Sequence, residues 1–223
     1  LDGNTLGQDH TAEFGMCDYV ASSGVLGAIA GAYGYAPNAS KAGGDEREGY
    51  ANEAACIADP VILGFLPGPP PLGHPSTYSI ADTKMRSFID GTANTVLIAE
   101  MAGRNEYWKR GQNITLADDE DSVAVQTCLS GGGWADPLNF MWIRGADPDG
   151  NPWSGTYGTD PVCSINCTNA RDSLDSSGWY SFHPGGCHIL LADGTVRFLN
   201  ENTDAFVVAC LITKGKGDVL GEF

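Results

Sequence analysis

The segment Cys187 to Leu199 restricts the fold more than any other part of the chain. Two short runs, Cys187–Ala192 and Thr195–Leu199, flank Asp193-Gly194. Asp-Gly is a preferred pair for a two-residue type I′ hairpin turn. Counting outward from such a turn sets Leu191 opposite Val196 and Ile189 opposite Phe198 on one face. Leu190 then lies opposite Arg197 on the other face. One face is wholly apolar and must cover a core, which fixes the register. Downstream, 203–212 reads as a short helix with Thr203 as its cap and an apolar run from Phe206 to Ile212.

Upstream signals point the same way. Thr95–Glu100 is an apolar, β-branched run after the turn Asp90-Gly91-Thr92, as expected of a strand covered on both faces. A further strand is expected near 17–21. Pro67-Gly68-Pro69-Pro70-Pro71 excludes helix and central strand there. Residues 131–180 read mostly as loop, yet carry Trp134, Trp142, Trp153 and Trp179, aromatics that tie loops to a domain. With 30 glycines, 12 prolines and only 18% charged residues, the composition favours short strands joined by ordered loops. The expectation is a single α+β domain over 1–223, an antiparallel sheet with long ordered loops.

The net charge of −16 argues against nucleic acid and anionic lipid as partners. No run approaches the roughly 18 apolar residues of a membrane span. The start, Leu1-Asp2-Gly3-Asn4, reads as neither a signal peptide nor a translation start, so a processed or truncated chain is expected. Seven cysteines favour an oxidising extracytoplasmic compartment, and the odd number leaves at least one unpaired or paired with another chain. Cys163 and Cys167 are the disulfide candidates, and Cys210 reads as a buried thiol.

Three ordered stretches carry a resemblance. The first is Phe182-His183-Pro184-Gly185-Gly186 followed by Asp193-Gly194, with nine residues between His183 and Asp193. The second is Asp90-Gly91-Thr92-Ala93-Asn94-Thr95, an aliphatic run, then Glu100. The third is Ile165-Asn166-Cys167-Thr168-Asn169 ahead of Tyr180-Ser181-Phe182-His183. Together they resemble the prepilin-type DUF1559 family with its H-X9-DG motif. The resemblance covers residues 80–223, including the ending Gly221-Glu222-Phe223, and 1–79 match loosely. It implies a pilin-like globular domain preceded by a hydrophobic N-terminal helix, which is not among these residues and is the chain's only implied route to a membrane. It also implies a structural or assembly subunit, pilin- or pseudopilin-like, that packs on copies of itself or on other surface proteins.

The candidate chemistry divides accordingly. His183, Asp193, Gly194, Asp90, Gly91 and Asn94 are read as structural, with His183 bonding a loop backbone to lock entry into the hairpin. A Ser181/His183/Asp193 hydrolytic set lacks a nucleophile-elbow motif. A zinc site would draw on Cys163, Cys167, Cys187 and either His183 or His188. Asp147, Asp149 and Asn151 form a calcium-loop-like turn without a glutamate at the twelfth position, and calcium is the cofactor expectation. Trp142 and Trp153 are candidates for stacking on an extracellular glycan. A structural, non-enzymatic subunit is the leading reading; a glycan-binding module and a metal-dependent hydrolase are the alternatives.

Overall fold

The computed structural model describes residues 16–25, 29, 84–104, 106–114, 133, 140–152, 162–172, 175–214, 220 and 223. Nine strands and one α-helix lie among them. The strands are β1 (Tyr19–Val25), β2 (Val96–Glu100), β3 (Trp108–Lys109), β4 (Gln112–Asn113), β5 (Phe140–Ile143), β6 (Arg171–Asp172), β7 (Asp175–Ser176), β8 (Gly186–Leu191) and β9 (Val196–Asn200). Helix α1 spans Ala205–Ile212. Seven strands form one sheet in the order β6-β7-β5-β1-β2-β8-β9, and β3-β4 form a small hairpin. The α+β expectation holds. The sheet is mixed, however: β5 runs parallel to both β1 and β7, whereas the other pairings are antiparallel. No helix among the described residues is long and apolar enough to cross a membrane.

Sheet and helix share one core. Val20, Val96, Ala99, Cys187, Ile189, Leu191 and Leu199 are buried on the inner face together with Val208, Ala209, Leu211 and Ile212 of α1. The helix packs on β1 and β2. Its cap is Asp204, whose carboxylate accepts from Phe206 N at 2.8 Å. Thr203, the expected cap, instead donates to Asn200 O at 2.6 Å. A cap must present its oxygen to the free N–H groups of the first turn, and Asp204 is the residue that does so here.

The β8–β9 hairpin is present, shifted by one residue from the expected register. Leu190 pairs with Val196, Ile189 with Arg197, His188 with Phe198 and Cys187 with Leu199. The loop has three residues. Gly194 N donates to Leu191 O at 3.0 Å, Leu191 N to Thr195 O at 2.9 Å, and Gly194 has φ +87°. This is a type I turn closed by a left-handed glycine. A type I′ turn would need Asp193 at positive φ as well, and Asp193 is not among the positive-φ residues. The Asp193 side chain explains the choice, since it accepts from Thr195 N at 2.9 Å and Thr195 Oγ1 at 2.7 Å. The shift sends Val196 and Phe198 to the outer face, where they are 65% and 46% exposed.

Beyond β2 the chain depends on side chain–backbone bonds more than on long ladders. Buried Asn169 donates from Nδ2 to the carbonyls of Ala102, Gly103 and Glu106, and its Oδ1 accepts from Trp108 N. One amide thereby holds the 102–108 turn against the 163–170 segment. Trp179, fully buried, anchors the same layer, as the tryptophan density suggested.

Two glycine positions separate turn strain from close packing. At Gly194 (φ +87°) an added Cβ meets nothing within 4 Å, so Gly194→Ala should cost only the backbone strain, about 1–2 kcal/mol. At Gly186 the Cβ would stand 2.0 Å from Leu199 O, forcing β8 from β9. Gly186→Ala should therefore be much more destabilising than Gly194→Ala in urea unfolding. Equal losses would contradict this packing.

Candidate functional site

The sheet register brings two distant segments together. β2 and β8 are antiparallel, with Ala99 opposite Ile189, Ile98 opposite Leu190, and Val96 opposite Leu191 across a bulge at Leu97. At one end the two turns dock. Ala192 N donates to Thr95 O at 2.8 Å and Asp193 N to Thr92 O at 3.1 Å. The Asp90–Thr95 turn closes on itself: Asn94 Nδ2 donates to Asp90 O, Thr95 Oγ1 donates to Gly91 O, and Gly91 takes φ +94°. Ile89 N and Asp90 N donate to Lys214 O, tying this turn to the end of α1.

At the other end, Glu100 meets two histidines. Its Oε1 lies 3.2 Å from His183 Nε2 and 3.3 Å from His188 Nδ1, while Oε2 accepts from His188 N at 2.7 Å. The two rings stand nearly perpendicular, 86° apart, with centroids separated by 4.7 Å. His188 also meets Phe198 edge-on at 5.1 Å. The carboxylate is enclosed, with the Glu100 side chain 8% exposed, whereas the His183 and His188 side chains are 53% and 40% exposed. Solvent therefore reaches the imidazoles, and the protein fixes the carboxylate.

His183 does not bond a loop backbone through its ring, as the sequence reading expected. Asn166 and Ser181 perform that function. Asn166, at φ +58°, donates from Nδ2 to the carbonyls of His183 and Gly186, and its Oδ1 accepts from Ser181 N at 2.8 Å. Ser181 Oγ donates to Gly186 O at 2.6 Å and accepts from His183 N. This engagement leaves Ser181 poorly placed as a nucleophile. Asp193 lies at the opposite end of β8, about 20 Å away for six residues of strand, so it cannot orient His183 in a triad.

The remaining candidates are distributed elsewhere. Cys163 and Cys167 form a disulfide with Cα atoms 6.2 Å apart, as the spacing suggested. That bond removes both as thiolate ligands. Cys187 points into the core, where burial, reinforced by the Glu100 charge, pushes its thiol well above the usual range. The cysteine-based zinc set is therefore not assembled. Cys210 is buried, as expected, and Cys17 is half-buried; Cys56 and Cys128 lie outside the described residues.

Asp147 and Asn151 close their own turn. Asn151 N and Nδ2 donate to the Asp147 carboxylate at 2.8 and 2.7 Å. Lys109 Nζ donates to Asn151 Oδ1, placing an ammonium group on an oxygen that a calcium ion would use. Arg110 donates from Nε to Pro148 O at 2.6 Å, and Asp149 is exposed. Trp153 and Trp134 fall outside the described residues, and for Trp142 only the backbone, in β5, is described.

The match to known proteins fits these motif positions. The family described as "Protein of unknown function (DUF1559)" matches residues 12–205. The chain belongs to the DUF1559 family. The match extends well upstream of residue 80, where the motif resemblance begins, and stops short of the Gly221-Glu222-Phe223 ending. No curated protein and no solved structure matches the chain. The DUF1559 resemblance identified the two segments that meet here. No spacing rule links Glu100 with His188, because their proximity depends on a strand pairing between residues 88 positions apart.

Asp193 provides a solution test of the turn. The Thr195 hydroxyl, then the Thr195 N–H, lower its carboxyl below the ordinary range. A lowered folded-state value adds stability above the unfolded-state pKa, and that stability disappears as pH falls through the folded-state value. Thr195→Val should raise the Asp193 pKa toward the ordinary range in an NMR titration. An unchanged value would show that this hydroxyl does not hold the turn.

Proposed function

We propose that this DUF1559 chain is the globular domain of a pilin-like assembly subunit, acting by packing on copies of itself or on other surface proteins, not by turnover. The carrying observation is the outer face of the sheet. Tyr19, Glu100, His188 and Phe198 form one cross-strand row, and Ala21, Ile98, Leu190 and Val196 form the next. The second row is apolar throughout and is half-buried to exposed, ending at the strongly exposed Val196. β9 is also one of the sheet's two edges among the described residues, and an edge strand with exposed apolar side chains such as Val196 and Phe198 is a natural place for another chain to join.

Three further features bear on the reading. Family membership brings the pilin-like resemblance of the motif segments with it. The Cys163–Cys167 disulfide favours an oxidising, extracytoplasmic setting. The acidic surface, with net charge −16, favours partners that are neutral or basic.

The test uses the natural polypeptide purified from its source, with concentration-dependent sedimentation and cross-linking. Self-association or capture of surface proteins is expected, with Val196→Glu and Phe198→Glu weakening it at least about tenfold, as when an apolar contact is replaced by a charge. A polypeptide that stays monomeric at high concentration and cross-links to no surface protein would remove the assembly reading.

A further inference from the structure

We propose that Glu100, His183 and His188 form a binding site for a divalent transition metal of the zinc class. Two imidazole nitrogens and one carboxylate oxygen lie within 4.8 Å of one another. In a tetrahedral zinc site with bonds of ~2.0–2.1 Å, ligand atoms stand about 3.3–3.4 Å apart. The pairs measured here, 3.2 Å for His183 Nε2 and 3.3 Å for His188 Nδ1 from Glu100 Oε1, already match that spacing. Small side-chain rotations would complete a three-ligand set.

The surroundings favour binding over a purely structural brace. The hairpin entry is already held by Asn166 and Ser181, so the His183 ring is not needed there. Glu100 is oriented from behind by the His188 N–H on Oε2, the type of outer contact that fixes a metal ligand. Both rings are open to solvent, which provides an entry route and leaves a fourth coordination position for water or another donor.

The donor set also selects the ion. Two imidazoles with a single carboxylate suit zinc, iron(II), copper or nickel, whereas calcium requires six to eight oxygens. The site lies on the outer face beside Phe198, yet a single chain supplies all three ligands. Metal binding by the monomer is therefore independent of the assembly reading.

The experiment is titration of the untagged protein with Zn2+, monitored by calorimetry, and with Co2+, monitored by visible absorption. Wild-type protein should take up a single equivalent of Zn2+ and give the intense absorption of low-coordinate cobalt; Ca2+ should not compete. Loss of an outer contact alone weakens metal sites ~10–100-fold, so His183→Ala and Glu100→Gln should each cost at least about 100-fold. His183 is half-exposed, so His183→Ala decides the matter should Glu100→Gln disturb the fold. Replacing His10 and His74, the other two histidines, should leave binding unchanged. Absence of Zn2+ uptake by wild-type protein, or uptake unchanged in His183→Ala, would overturn the site.

Discussion

The antiparallel pairing of β2 with β8 is the interaction on which the rest of this structure depends. Asp90 and Glu100 are separated by nine residues, and so are His183 and Asp193. In each case that interval is a short strand with its adjoining turn. Because the two strands run in opposite directions, the Asp90 turn meets the Asp193 turn and Glu100 meets His183 and His188. A nine-residue spacing within one motif is thus explained by the length of strand needed to reach the matching end of the other. The inner residues of the same pair, Val96, Ala99, Ile189 and Leu191, form the floor on which α1 packs. A slip between β2 and β8 would separate the turns, disperse the Glu100 cluster and turn core residues outward together.

Much of this frame was legible in the chain. The apolar runs at 95–100 and 187–199 located β2 and the terminal hairpin, and the apolar run at 206–212 located α1. What the sequence hid was geometry set by single side chains. Asp-Gly admits both a two-residue and a three-residue turn, and the Asp193–Thr195 hydrogen bonds accompany the latter, inverting the faces of Val196 and Phe198. The parallel entry of β5 beside β1 was equally hidden, since no local signal pairs strands more than a hundred residues apart, as Ala21 is with Phe140. For the candidate site, the sequence marks His183 and offers His188 as a zinc alternative, but in company with cysteines. Cys163 and Cys167 are neighbours in sequence and bond to each other, whereas Glu100 is local to neither histidine.

The cluster and the apolar outer row share one face because β8 places His188 and Leu190 on the same side. A half-exposed imidazole pair over an enclosed carboxylate therefore borders the surface proposed for assembly. The inner face of the same strands is closed by α1, and Cys187, its thiol held protonated by burial, belongs to that interior. One two-sided strand thus accounts for both the core and the exposed chemistry.

Cross-strand NOEs of Phe198 and Ala99 in solution test the central claim most directly. The account predicts Phe198 opposite His188, Ala99 opposite Ile189, and Thr92–Thr95 in contact with Ala192–Asp193. Contacts of Phe198 with Ile189 instead, or no contacts between the 90–95 turn and the hairpin loop, would contradict it.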